Sequence, residues 1–241
     1  MNINILSLIF YFIFYSFVGW LLECVYGTIK RKKNVNPGFL YGPFCPIYGF
    51  GAVLLIVVTS NFLDNLLLLF IFSTVIISIL EYLTGFVLET LVHSIWWDYS
   101  NQPFNLKGRI CLVFSLFWGV LSVIFLKLVH PHIVTIFKYF DNSFGRIIIY
   151  AIAFYVCFDF ILTLIHVSKL VERLKQFNVL YEDFLAKLED AGENIEKVKE
   201  DIMLRNDAIL KKIKDEFPSV FTAFPRFKSI IREKIKNYRK D

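Results

Sequence analysis

The sequence predicts an all-α fold: a polytopic membrane helical bundle of about five transmembrane helices, with a C-terminal cytoplasmic coiled-coil-like helix. Three observations predict it. The chain is 56% hydrophobic and 20% charged, with a mean hydropathy of +0.57, whereas soluble domains carry about a quarter of their residues charged. Apolar runs of membrane-spanning length fill residues 1–168. Beyond them the charges gather, and apolar residues recur at alternating steps of four and three.

A helix crossing a hydrocarbon core of about 30 Å needs about 20 mostly apolar residues. That ruler gives spans at about 5–29, 46–60, 66–91, 110–129 and 147–167. The first run has no positive n-region and no small-residue cleavage site, so it reads as a span that stays. The second is short, and Pro43, Pro46, Gly49 and Gly51 crowd its start. A broken or re-entrant entry fits there if protein covers the loose backbone. Between the fourth and fifth spans, residues 130–146 read as an outer loop, with His130 and His132 as surface residues.

Lysine and arginine set the orientation. Lys30 to Lys33 close the first span, Lys107 and Arg109 precede the fourth, and Lys169, Arg173 and Lys175 follow the fifth. Five spans put all three clusters on one side, with the N-terminus outside and the C-terminus cytoplasmic. In the tail, Leu170, Leu174, Phe177, Tyr181, Phe184, Leu188, Ala191, Ile195, Val198 and Ile202 form a heptad seam, making 169–217 a helix that could pair with a partner or a second copy. Pro218 and Pro225 end it, and 218–241 is a basic amphipathic segment. An anionic lipid surface is its natural neighbour, rather than nucleic acid.

Acidic side chains in a span cost about 2.5–3.5 kcal/mol on insertion scales, so each needs a reason. Glu23 lines up with Ser16, Gly19 and Tyr26 on the first span. Glu81 and Glu89 lie about 12 Å apart along the third, with Ser78 and Gly85 on the same broad face. These two stripes are expected to meet in a polar cavity at the cytoplasmic face, near the Tyr41–Gly51 stretch and the Trp96–Arg109 loop. Asn105, Gly108 and Arg109 open the fourth helix, where free amides could receive an anion. The candidate substrate-binding set is Glu23, Tyr26, Tyr48, Glu81, Glu89, Asp98, Asn105 and Arg109. An equally economical account has the same carboxylates pairing with Arg109, Lys107 or tyrosine hydroxyls to hold helices together. Asp159, Thr163 and His166 form a second stripe that reads as helix glue.

No enzyme constellation stands out. Glu89 and His93 have a spacing that suits a metal, but no second pair completes a site. Ser94, His93 and Asp98 lack a nucleophile elbow, and no phosphate-binding GxxxxGK[ST] loop occurs. Trp96, Trp97 and Tyr99 suit a headgroup-level aromatic belt. Cys24, Cys45, Cys111 and Cys157 read as reduced packing residues. No catalytic residue, metal or cofactor is expected.

Several runs nonetheless form a recognisable set, covering roughly residues 8 to 125. They are Gly19–Tyr26 (GWLLECVY), Asn36–Gly51 (NPGFLYGPFCPIYGFG), Glu81–Gly85 (EYLTG), Trp97–Ser100 (WDYS) and Asn105–Ile110 (NLKGRI). In order and spacing the chain resembles the bacterial ABC-transporter type IV family of permease-type membrane proteins. The resemblance implies a multi-pass protein of the bacterial cell membrane, a transporter permease or transport-associated subunit, with a separate ATPase and a second copy of itself as candidate partners. Glu23, Glu81, Asp98, Asn105 and the glycine-proline run fall within the matching motifs. Two other functions stay open: a membrane-embedded enzyme acting on a lipid or lipid-linked substrate, and a scaffold recruiting partners through its tail.

Overall fold

In the computed structural model, residues 4–31, 39–92 and 97–191 are described. The chain builds six α-helices and one small hairpin: α1 (Ile5–Arg31), α2 (Pro46–Thr59), α3 (Leu66–Val92), β1 (Asn105–Leu106), β2 (Ile110–Cys111), α4 (Leu112–Ile124), α5 (His130–Phe140) and α6 (Ser143–Ala191). A 3₁₀ turn, Ser60–Phe62, extends α2, and a π turn, Phe125–Val129, joins α4 to α5 without a break. Asparagines start three of the helices. The Asn4 side chain accepts from Ser7 N at 2.7 Å, Asn65 from Leu68 N at 3.1 Å and Asn142 from Gly145 N at 2.8 Å, each satisfying an amide that the helix itself leaves bare.

Four helical stretches are long and apolar enough to cross a membrane: Ile5–Ile29, Leu66–Thr90, Leu112–Phe140 and Ser143–Lys169. Pro46–Phe62 is a shorter apolar helix. The outward faces of the long helices are strongly apolar, as at Phe154, 75% exposed, a surface that water would penalise and acyl chains would not.

Glycines set the closest helix contacts. α1 packs chiefly on α2, and a Cβ at Gly49 would lie 2.6 Å from the Phe12 carbonyl oxygen. α3 packs chiefly on α4, where a Cβ at Gly119 would strike the Thr74 hydroxyl. Small residues at such crossings let backbones approach and gain dispersion energy that lipid does not offer.

The entry to α2 is re-entrant. Cys45 N donates to the Ser16 carbonyl at 2.8 Å, and Ser16 stands only about 16 Å along α1, with about 22 Å of helix still to follow. Leu40 is fully buried. The irregular backbone is satisfied from α6, where Asp159 accepts from Gly42 N at 2.8 Å and from Tyr41 N at 3.3 Å. Protein therefore covers the loose chain, which is the condition for non-helical backbone at such depth.

The stretch expected as an outer loop is mostly helix. Helical structure runs through to Phe140, leaving only Asp141 and Asn142 between α5 and α6. Pro131 sits in the first turn of α5, where its missing N–H costs least. His130 is buried rather than on the surface, with its Nδ1 3.0 Å from the Tyr15 hydroxyl. At the other end β2 occupies Ile110–Cys111, so α4 begins at Leu112. α6 continues as helix to Ala191, which takes in the first part of the heptad seam; positions 195, 198 and 202 and the basic segment lie outside the described residues.

Candidate functional site

α3 presents Glu81, Tyr82, Gly85 and Glu89 toward the segment that follows it. That segment folds back as a hairpin because Lys107 (φ 53°) and Gly108 (φ 68°) both adopt left-handed backbone, the geometry of a mirror-image tight turn. Arg109 N closes the turn on Leu106 O at 3.1 Å, and β1 pairs with β2 in the register Leu106 to Ile110 and Asn105 to Cys111. The Asn105 amide braces the turn, donating to Gln102 O at 2.8 Å and accepting from Gly108 N at 3.1 Å. Asp98 accepts from Ser100 N and Oγ at 2.9 and 2.5 Å.

Three contacts lock this hairpin to α3. Arg109 Nε and Nη2 reach Glu89 Oε2 at 2.9 and 2.6 Å. Its Nη1 donates to the Tyr82 hydroxyl at 3.1 Å, while the guanidinium lies 5.2 Å from the ring centres of Tyr82 and Phe86. The Tyr99 hydroxyl donates to Glu81 Oε1 at 3.1 Å. The Glu89 hydrogen bond raises the Arg109 pKa further, so its charge is permanent here. Burial pushes the Tyr99 phenol above its ordinary value, so it keeps its proton and stays a donor. Trp97 Nε1 donates to Arg109 O at 2.7 Å, closing the base of the hairpin.

Between α3 and the hairpin lies a cleft of about 40 Å³, lined by Gly85, Glu89, Trp97, Asp98, Ser100, Lys107, Gly108 and Arg109. Lys107 stands exposed at its edge and makes no salt bridge among the described residues. Beside this cleft, Tyr48 of α2 donates to Glu23 Oε1 on α1 at 2.6 Å, its ring seated where a Cβ on Gly19 would clash.

Of the residues singled out from sequence, Glu81, Glu89, Asp98, Asn105 and Arg109 come together at α3 and the hairpin. Glu23 and Tyr48 form a neighbouring pair. The α1 and α3 stripes are bridged by α2 rather than packed mainly on each other. Tyr26 stands on an exposed face of α1. Tyr82, Trp97 and Tyr99, the last two read from sequence as belt aromatics, supply the hydrogen bonds that build the site; their only sequence sign is proximity to Glu81 and Asp98. His93 and Ser94 lie outside the described residues.

The family described as Putative ABC-transporter type IV matches residues 10–164. The chain belongs to this family. Every described segment of the site falls inside the matched stretch, as does Asp159, whereas the tail lies beyond it. Membership makes the chain a multi-pass membrane protein related to ABC transporters. No curated protein and no solved structure matches the chain.

Proposed function

We propose that this chain is a permease-like or transport-associated subunit of the cell membrane, N-terminus outside and C-terminus cytoplasmic, working with a separate ATPase. Glu23, Tyr48, Glu81, Glu89, Asp98, Asn105 and Arg109 would form its cytoplasm-facing polar mouth. The observation that carries this reading is the hairpin: Arg109, directly after its turn, is held by Glu89 and Tyr82 of a spanning helix, and Tyr99 by Glu81, while Phe104, just before β1, stands 84% exposed and Lys107 at the turn is exposed. An exposed hairpin tied to carboxylates of a spanning helix suits a surface through which a partner moves that helix.

The cleft of about 40 Å³ is far below the several hundred Å³ typical of a solute pocket. This cleft alone therefore has no room for an organic substrate, which favours assembly with further subunits. The lipid-enzyme reading has less support, because Arg109 is already engaged by Glu89 and Tyr82 and Asp98 by Ser100.

The test is co-purification from mild detergent of the wild-type chain and of a Phe104→Ser, Lys107→Glu double variant. An ATP-hydrolysing subunit should accompany the first and be lost from the second. An ATPase retained equally by both would remove the hairpin from the interface, and none with either would sink the ATPase reading. Glu81→Gln separates the classes further, since lost uptake or export supports transport and an altered lipid profile supports the enzyme.

A further inference from the structure

Glu81 differs from the other carboxylates in the bundle by being enclosed with only neutral donors described near it. Its side chain is only 8% exposed. Oε1 accepts one hydrogen bond, from the neutral Tyr99 hydroxyl at 3.1 Å. Oε2 is enclosed and has no partner in hydrogen-bonding geometry, and the one further donor near the carboxyl is the neutral Trp118 indole of α4. Ser78 Oγ, one turn away on the same helix, is likewise enclosed and unpartnered.

The charged and titratable groups around it belong to others. From the hairpin come Tyr99 itself and Cys111, which interacts with Tyr99. Arg109 is committed to Glu89, and Lys107 stands at the exposed turn. From α2 comes Tyr48, which is bonded to Glu23. Among the described residues, no cation is bonded to the Glu81 carboxyl.

An ionised carboxylate enclosed with only neutral donors is strongly penalised, whereas the acid is not. A proton on Oε2 converts the bare acceptor into a donor, with Ser78 Oγ on the neighbouring turn able to accept. Tyr99 bonds the enclosed acid, and Tyr48 with the half-buried Glu23 forms a second polar pair between α1 and α2.

We propose that Glu81 is a proton-binding site: its carboxyl holds an exchangeable proton at neutral pH and trades it with water. The step is a plain acid dissociation, with the proton passing to water and no other bond changing. It does not depend on the transport reading. Membrane carboxyls that bind protons in this way commonly serve proton relays.

Infrared difference spectroscopy on the full-length chain in lipid nanodiscs, titrated from about pH 5 to about pH 9, tests the proposal directly. A protonated-carboxyl C=O band should be present at neutral pH, shift on transfer to deuterium oxide, fade only toward alkaline pH, and vanish in Glu81→Gln. Glu89→Gln should leave it in place. Should Glu81→Gln fail to fold, Tyr99→Phe serves instead, keeping the band but moving its frequency as one hydrogen bond is lost. The proposal is overturned by a band unaffected by both Glu81→Gln and Tyr99→Phe, or by no such band at any pH. Loss of the band on adding sodium chloride at fixed pH would also overturn it, making the site one for an alkali cation.

Discussion

Asp159→Ala should release the re-entrant loop, and Cys45 offers the readout. In the wild-type chain the loop is held from α6 by two backbone amides on one carboxylate, Gly42 N at 2.8 Å and Tyr41 N at 3.3 Å. Alanine leaves the Gly42 amide buried without a partner, at about 1–3 kcal/mol. It also removes the longer Tyr41 bond, worth about 0.5–1.5 kcal/mol. Relief from burying the carboxylate offsets part of this, so the closed loop should weaken by about 1–3 kcal/mol. At about 1.4 kcal/mol per tenfold, that raises the open population about 5- to 150-fold. Cys45 is 4% exposed, which keeps it inert while the loop is closed. With Cys24, Cys111 and Cys157 replaced by serine, the rate of labelling by a water-soluble thiol reagent in mild detergent follows the opening of the loop. Asp159→Asn, which keeps one acceptor oxygen, should fall between the two. A labelling rate in Asp159→Ala within about threefold of wild type, a difference below about 1 kcal/mol, would refute the account of Asp159 as the anchor of this loop.

Gly49→Val places branched carbon against the Phe12 carbonyl, 2.6 Å from the ideal Cβ; overpacking of about 1–3 kcal/mol should lower the thermal midpoint in detergent, and an unchanged midpoint would mean α1 and α2 are not packed this closely. Tyr15→Phe takes from His130 its one hydrogen bond, since Nε2 is already enclosed and unpartnered; a loss of about 1–3 kcal/mol is expected, and an unaltered unfolding midpoint would argue against it. Arg109→Lys cannot reproduce the fork onto Glu89 and Tyr82, so limited proteolysis should cut the hairpin faster than in wild type, and equal cutting rates would remove Arg109 as its clamp.

The membrane body was legible because hydrocarbon thickness imposes a length that composition reveals directly. Even the irregular entry to α2 could be read, since Pro43 and Pro46 stop a regular helix from running through the segment before it, while Gly49 and Gly51 fall inside α2. α5 was hidden for the opposite reason. Lys127, His130, Pro131, His132 and Lys138 look like a polar connection, yet Pro131 occupies a helix's first turn, where it is harmless, and the His130 ring is supplied by Tyr15. In the site, the carboxylates could be found because charge in a span is costly wherever it points. Their partners could not, because Tyr99 and Trp97 look the same in sequence whether they float at a headgroup level or donate a hydrogen bond inward. Asp159 illustrates the same limit: read as helix glue, it holds loop backbone instead, which no helical spacing encodes.

The four intramembrane carboxylates with described partners can be ranked by what supplies them. Glu89 has a guanidinium, and Asp159 has two backbone amides; both arrangements stabilise the ionised form and fix a segment of chain, which is structural work. Glu23 has one phenol but is only half-buried, so water makes up the remainder. Glu81 is enclosed and has one hydroxyl on one oxygen and nothing in bonding geometry on the other. A bundle that needed Glu81 only to tether Tyr99 would do as well with a glutamine there, whose amide oxygen accepts the same bond without the cost of a buried ionisable group. The titratable group at this position therefore points to proton exchange rather than to tethering, and Glu81→Gln is the substitution in which fold and function should part.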